Sequence, residues 1–302
     1  MAGDNPLSPE SLIGHTKDAT YFHVPKFFDR FGISEHGHVE IPQLFDARHG
    51  DPNAVIEPLD FQLTKFMLIE VFVAICCVAI FSWLASKVSS GERPKGSLWN
   101  TFEGMLLFIR DQVARPSIGH DADKFLPFLW TMFFFVLGCN LLGMVPWAGS
   151  PTGAFAVTIV LALCTFAIVV ISGSMTFGVV GFWKNQVPHM DLPLPLAIFL
   201  KPMIFVIEVV GLLIKHFVLA VRLLANMLAG HVVLAVLVAF ISVVAALEYV
   251  QSYSHPLMIG VSLASILGAV AISMLELFVA FLQAYIFTFL SALFIGAAVH
   301  EH

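Results

Sequence analysis

The sequence predicts an all-α polytopic membrane protein with about five membrane passes. Two of these passes are long, tilted C-terminal helices, and one further amphipathic helix lies on the membrane surface. Hydrophobic residues make up 58% of the 302 residues and charged residues only 12%, roughly half the charged share that is usual in soluble domains. Several apolar runs reach the ~20 residues that a helix needs to cross a bilayer core. The sequence has no basic patch that would bind nucleic acid.

Residues 1–60 are polar, acidic and interrupted by prolines, which break long helices. We predict that they form an extracytoplasmic segment outside the membrane domain, which covers 61–302. No basic stretch followed by an apolar stretch occurs at the N-terminus, so we expect no cleavable secretion signal.

Neither the histidines nor the cysteines predict a metal site, and no cofactor is expected. The N-terminal histidines could suggest a metal tract, but only His36 and His38 have a ligand-like spacing, and a solvated surface segment is favoured. The four cysteines lie in apolar runs without disulfide or zinc spacing and are expected to be buried thiols. They are Cys76, Cys77, Cys139 and Cys164.

Two different helices are expected before residue 120. The run of about 62–87 has the length of one pass, and Glu70 is the charged residue in its interior. The run of about 97–116 places apolar side chains from Leu98 to Val113 on one face, with charged residues between them. This pattern predicts an amphipathic helix on the membrane surface.

The region 125–183 contains no Asp, Glu, Lys or Arg. It is too long for one helix across a bilayer of about 30 Å, and the Pro- and Gly-containing cluster at 145–153 supplies a turn. We therefore expect a hairpin of helices at about 125–146 and 154–181, followed by a loop from Phe182.

Two further long helices are predicted at about 195–246 and 255–298, on either side of the polar break at 248–256. Each is much longer than a perpendicular crossing requires, so each should be strongly tilted. Lys and Arg are concentrated in the connections 87–124 and 182–201, which places these connections in the cytoplasm. Five passes then put the N-terminus outside and the C-terminus inside.

The first of these long helices carries charge where the bilayer should be. On a helical wheel with about 100° per residue, a polar stripe forms from Glu208, Lys215, Arg222, Asn226 and Gly230. His231 lies about 180° from Arg222, so the two should face different partners. Charges inside a bilayer cost several kcal/mol, and arginine cannot lose its proton to avoid that cost. The stripe therefore predicts a functional site.

In the last helix, Glu276 and Gln283 are seven residues apart and so share a face, which would lie beside the stripe if the two helices are antiparallel. Plainer interpretations exist. Glu208 could be solvated near the membrane surface, and His231 could be a hydrogen-bonded core histidine. Arg222 could form a buried ion pair with one of the two glutamates.

Three segments together resemble subunit a of the F-type ATP synthases. In that family an arginine is followed by an asparagine four residues on and a glycine four further, then Glu or His, as in the segment 221–231 (VRLLANMLAGH). The segment 282–287 (LQAYIF) resembles the glutamine-containing C-terminal motif, and 140–146 (NLLGMVP) resembles the third helix. The resemblance covers about residues 60–302.

The resemblance implies a proton-translocating stator subunit without a catalytic site, forming two aqueous half-channels against a ring of c subunits. Arg222 aligns with the arginine that attracts the ring carboxylate and separates the half-channels, and Glu208 aligns with a position towards the inner half-channel. Positions lining the outer half-channel or contacting the arginine are Asn226, His231, Glu276 and Gln283. Implied partners are the c-ring, the b subunits of the peripheral stalk, the rest of the complex and the lipid bilayer. A bacterial inner membrane is favoured over a mitochondrial one, because no transit peptide is recognisable.

The sequence departs from one bacterial pattern of this family, in which Glu follows the glycine and His lies in the last helix. Here His231 and Glu276 are exchanged, which suggests that they face the same cavity. Acids that some relatives carry near the outer end of the third helix have no counterpart in 125–183. The sequence therefore does not assign the residues of the outer access route. Proton coupling is expected by default over sodium coupling.

Two other functions were considered. A stand-alone channel or secondary transporter could use Arg222 as a substrate or gating charge, but the internal repeats common in transporters are not recognisable. A scaffold whose helices only pack against partners would not explain Arg222 or Glu276.

Overall fold

The computed structural model describes residues 18–23, 38–42, 63–89, 96–145, 148–187, 194–246 and 255–300. This part of the chain is almost entirely helical. A short antiparallel pair of strands, β1 (Tyr21–His23) and β2 (His38–Glu40), sets Phe22 opposite Val39. The helices are α1 (Lys65–Ser89), α2 (Ser97–Phe108), α3 (Arg115–Ile118), α4 (Ala122–Gly143), α5 (Phe155–Phe177), α6 (Val179–Asn185), α7 (Leu194–Ala246) and α8 (His255–Val299).

Five helical runs within the described residues are long and apolar enough to cross a membrane: α1, the run that ends with α4, α5, α7 and α8. The predicted fold class is therefore confirmed. The 53 residues of α7 and the 45 of α8 correspond to about 80 Å and 68 Å of helix, far beyond a core of about 30 Å. Their strong tilt remains a prediction.

The predicted amphipathic helix continues two residues further than expected, to Ile118, and is not a uniform α-helix. A π-helical stretch, Ile109–Ala114, joins α2 to α3, and a 3₁₀ turn, Gly119–Asp121, precedes α4. Ile109 and Val113 are fully buried, while Leu98 is 73% exposed. The ring of Phe102 is half-buried and lies 5.8 Å from that of Phe134, so the expected apolar face packs against the protein except at its first residue, Leu98.

The predicted helix of 154–181 and the loop from Phe182 were wrong. Helix α5 ends at Phe177, and Gly178 adopts φ 76° and ψ 159°, a conformation that is essentially restricted to glycine. Helix α6 follows at once, and its Phe182 is buried against Gly173, where no Cβ would fit. Because the residues on both sides of Gly178 are apolar, periodicity could not show this break.

The chain forms two compact units. The first contains residues up to 76, 138–154 and 226–280, and the second contains 77–137, 155–225 and the remainder. Helices α1, α4, α7 and α8 contribute to both units.

In the first unit, a buried hydrogen-bond network holds α4 to its neighbours. Asn140 donates from Nδ2 to the carbonyl oxygen of Ala280 at 3.3 Å, and the hydroxyl of Thr152 donates to Asn140 Oδ1 at 2.8 Å. Ser150 Oγ lies 2.9 Å from the Thr152 hydroxyl. All three polar side chains are buried, so the network satisfies groups that would otherwise be costly to bury.

The N-terminal residues of the first unit attach to the start of α1. The amide of Lys65 donates to the Ala19 carbonyl at 2.9 Å, and the amide of Phe66 donates to Asp18 Oδ1 at 3.3 Å. These bonds satisfy two of the amides that a helix leaves unpaired at its N-terminus, and the Asp18 carboxylate suits the positive end of the helix dipole.

In the second unit, α5 packs closely on α8 and α7. The hydroxyls of Thr165 and Ser291 lie 3.4 Å apart. The ring of His216 lies between Phe166 and Phe294, with centroid separations of 5.2 Å and 4.9 Å, and its Nδ1 lies 2.8 Å from the Leu212 carbonyl. These contacts fix the rotation of the part of α7 that leads to residue 222.

Candidate functional site

Arg222 lies at the edge of the packed face of α7, in the second unit. Leu219, Ala220 and Leu223 around it are buried, whereas Val221 is 36% exposed. Nε and Nη2 of Arg222 are themselves buried and have no hydrogen-bond partner in the part of the chain that the structure describes. The plainer interpretation, an internal ion pair of Arg222, is not realised among these residues.

In the first unit, Glu276 of α8 lies against α7 at Gly230 and His231. Glu276 Oε1 is 3.6 Å from His231 Nδ1, and the two side chains are 4% and 17% exposed. A Cβ at Gly230 would lie 2.8 Å from Cδ of Glu276 and still closer to Oε1. Only glycine therefore lets the carboxyl group approach the helix backbone this closely.

The His231–Glu276 pair has polar atoms that can still accept or donate a proton. A separation of 3.6 Å is longer than a direct hydrogen bond, and a contact of this length has room for water as a bridge. Glu276 Oε1 and His231 Nε2 are buried without a hydrogen-bond partner among the described residues. Imidazole and carboxyl groups are the usual proton carriers in proteins, so this arrangement can take up and pass on protons.

The helical wheel was only partly right about this part of α7. It grouped Gly230 with Arg222 and assigned His231 to a different partner. In the structure Gly230 and His231 both face Glu276. The two positions are about 100° apart, and one carboxyl group reaches both because glycine leaves space beside the backbone.

The structure describes the other predicted site residues, and none of them is part of the His231–Glu276 pair. Gln283 is buried in the second unit, and Asn226 is half-buried in the first. Glu208 is half-buried and lies fourteen residues before Arg222 on α7, about 21 Å along the helix axis. Lys215 is exposed, as expected for a lysine that reaches the interface.

Two features of the first unit were missed from the sequence. The Asn140–Thr152 network could not be seen, because its members are separated in the chain and only their motifs were noted. Glu70 has a buried Oε1 without a hydrogen-bond partner among the described residues. The sequence shows Glu70 as an isolated charge in an apolar run, but it did not suggest a role for this residue.

No group of three or more possible metal ligands occurs among the described residues. His36 lies outside them, as does the side chain of His38. None of the four cysteines is disulfide-bonded, and the expectation that they are buried holds for Cys139. Cys76 and Cys77 are half-buried, and Cys164 is exposed.

The fold and the buried titratable groups define a polytopic helical membrane protein with the side chains of an ion-translocating subunit. The family model of the ATP synthase A chain matches residues 66–296. The chain is 39% identical to ATP synthase subunit a of Myxococcus xanthus over 295 residues, 95% of this chain and 88% of that protein. It is 41% identical to ATP synthase subunit a 2 of Chlorobaculum tepidum over 250 residues, 82% of this chain and 66% of that protein.

The chain therefore belongs to the ATP synthase A chain family, subunit a of the F-type enzymes. This family is that of the non-catalytic proton-channel subunit of the stator, and the relatives are bacterial. Family membership therefore argues against the two alternative functions, a scaffold and a stand-alone transporter.

Proposed function

We propose that the chain forms two aqueous half-channels against a ring of c subunits, with Arg222 between them. The observation that carries the proposal is the half-buried Arg222, whose Nε and Nη2 are buried and have no hydrogen-bond partner among the described residues. A buried charge without a partner is strongly destabilising, so a group outside the described residues should compensate it. A carboxylate on a neighbouring membrane subunit has the complementary charge and geometry.

The guanidinium then acts as a fixed barrier. Arg222 attracts a ring carboxylate that has lost its proton, and it cannot relay protons itself because it stays charged. Protons must therefore travel on the ring from one half-channel to the other. Each proton that crosses 100 mV releases about 2.3 kcal/mol, which drives the rotation.

The residues around the barrier have separate roles. His231 and Glu276 carry protons in the outer half-channel, and their 3.6 Å contact supports this assignment. Asn226 and Gln283 line the same half-channel or contact Arg222, and Glu208 faces the inner one. The basic connections lie in the cytoplasm, with the N-terminus outside, and the b subunits of the peripheral stalk hold the chain against the ring.

The test is ATP-driven proton pumping in membrane vesicles that contain the Arg222→Ala variant. We expect the pumping rate to fall below one hundredth of the wild-type rate, which corresponds to a rise of about 3 kcal/mol in the activation free energy. The complex should still assemble. Val221→Ala, the adjacent substitution on the exposed side, is the control and should pump normally. Normal pumping by Arg222→Ala would refute the proposal.

A further inference from the structure

Glu70 is a half-buried acid on α1 that the proposed function does not use. Its Oε1 has no hydrogen-bond partner among the described residues, and an unsatisfied buried polar group costs free energy. On the same helix Ile69 and Val73 are buried, while Val71 and Phe72 are more than half exposed. Glu70 therefore lies at the edge of the face that α1 packs into the first unit.

Carboxyl groups are scarce in the described helices of the first unit. Helix α4 contributes none there, and neither does the described part of α7 after Asn226. In the described helical segments of this unit, Glu70 and Glu276 are the two acids. The outer access route lacks an acid in 125–183, and Glu70 is the one other carboxyl on a described helix of this unit besides the His231–Glu276 pair.

Close contacts connect α1 to α8 through α4. A Cβ on Gly138 would lie 2.8 Å from Cγ1 of Val73. The side chain of Val73 on α1 therefore packs directly against the backbone of α4 at Gly138. Two residues along α4, Asn140 donates to the carbonyl oxygen of Ala280 on α8. The same short stretch of α4 thus contacts both acid-bearing helices.

This packing puts the two carboxyl groups at similar depths in the membrane. Glu70 lies three residues before Val73, and Glu276 lies four residues before Ala280. Helices α1 and α8, as the first and fifth passes, run in the same direction. With a rise of 1.5 Å per residue, the acids differ in depth by about one helical turn or less.

Polar groups also extend from the N-terminal end of α1 to Glu70. The Asp18 carboxylate accepts a hydrogen bond from the amide of Phe66, one turn before Glu70. The side chain of Lys65 is buried, and a Cβ on Gly149 would lie 3.3 Å from its Nζ. Ionisable groups therefore continue from the helix end, beside the turn after α4, into an otherwise apolar helix.

We propose that Glu70 takes up protons from the outer aqueous phase and passes them through water to the His231–Glu276 pair. Its carboxylate accepts a proton from hydronium, releases water, and is regenerated when it passes the proton on to the His231–Glu276 pair at a similar depth. The proposal rests on the proposed function, because it needs the outer half-channel to end at Glu276. It differs in assigning the access point to α1.

The first test compares Glu70→Gln, which keeps the shape but cannot ionise, with Glu70→Asp, which can. We expect Glu70→Gln to lower ATP synthesis driven by an imposed proton gradient about ten-fold or more, with normal assembly, and Glu70→Asp to restore most of the rate. Glu40→Gln, which removes an exposed carboxyl on β2, is the matched control and should be unaffected.

Two results would overturn the proposal. One is wild-type synthesis by Glu70→Gln. The other is equal loss in Glu70→Gln and Glu70→Asp with a lowered melting temperature, which indicates a packing role. Arg222→Ala is measured in the same preparation, because normal pumping by that variant would refute the proposed function whatever the Glu70 variants do.

A second test measures access directly. Glu70→Cys in right-side-out vesicles is treated with a membrane-impermeant cationic thiol reagent, and labelling is compared with the parent chain, which carries four cysteines. Additional labelling from the outer side is expected. Labelling of this position only from the inner side, or from neither side, would contradict the proposal.

Discussion

The carboxyl group of Glu276 lies directly against the backbone of Gly230, one residue before His231. The absence of a side chain at Gly230 creates the space that this carboxyl group fills. As a result, an acid and an imidazole from antiparallel helices meet at 3.6 Å in a buried position. In the proposed mechanism the glycine therefore contributes to the proton pathway through its shape, although it carries no titratable group.

Gly230→Ala tests this relationship. A Cβ would lie 2.8 Å from Cδ of Glu276, so the carboxyl must move away from His231 or the helices must separate. We expect gradient-driven ATP synthesis to fall about ten-fold or more. Gly260→Ala, in the same unit with no atom within 4 Å of the added Cβ, serves as the control. Equal activity in the two variants would show that the close approach has no function.

Glu276→Gln tests the acid itself. The amide keeps the volume but cannot bind and release a proton, so we expect proton uptake to slow by about 10² or more. The measurement is the initial rate of passive proton flux in vesicles after removal of the catalytic sector. The double variant His231→Glu with Glu276→His keeps one imidazole and one carboxyl at the site and should recover part of the flux. A Glu276→Gln variant with unchanged flux would give this residue a purely structural role.

Asn140→Leu tests the buried network of the first unit. The change removes both hydrogen bonds of the amide, so the Thr152 hydroxyl keeps only Ser150 as a partner and the Ala280 carbonyl keeps only its bond within α8. Each lost hydrogen bond should cost about 0.5–1.5 kcal/mol. We expect a melting temperature in detergent several degrees below that of the parent chain. Thr131→Val, which removes an exposed hydroxyl bonded within its own helix, should melt like the parent. No difference between the two variants would mean that the network does not stabilise the fold.

Gly178→Ala tests the break between α5 and α6. The backbone there has φ 76° and ψ 159°, and a side chain in this region costs about 1–3 kcal/mol. The expected result is lower thermal stability and faster proteolysis near this junction. Gly104→Ala, in a helical position with open space around the added Cβ, should not be destabilised. A Gly178→Ala variant as stable as Gly104→Ala would contradict the observed backbone conformation.

Much of the architecture could be predicted because apolar length and polar interruptions determine where membrane helices begin and end. The bounds expected for α7 and α8 differ from the observed ones by at most one residue. The break at Gly178 was missed because apolar residues flank it on both sides.

The site residues could be named from isolated charges and a motif, and the exchange of His231 and Glu276 predicted that these two face the same cavity. The geometry of their contact could not be predicted. The distance between His231 and Glu276 depends on the packing of two helices and on the space beside Gly230. The role proposed for Glu70 rests in turn on the packing of Val73 against Gly138, which only the folded chain shows.

If Arg222 separates two half-channels, protons should not cross the complex while the ring is immobilised, and passive proton flux in that state measures this separation. Vesicles without the catalytic sector would carry a cross-link between this chain and the c-ring, so that no rotation can occur. We expect no flux through the wild-type complex and a measurable leak through Arg222→Ala, because that variant lacks the barrier to direct transfer. An Arg222→Ala complex that stays as tight as the wild type, and that pumps normally once the cross-link is reduced, would contradict this expectation.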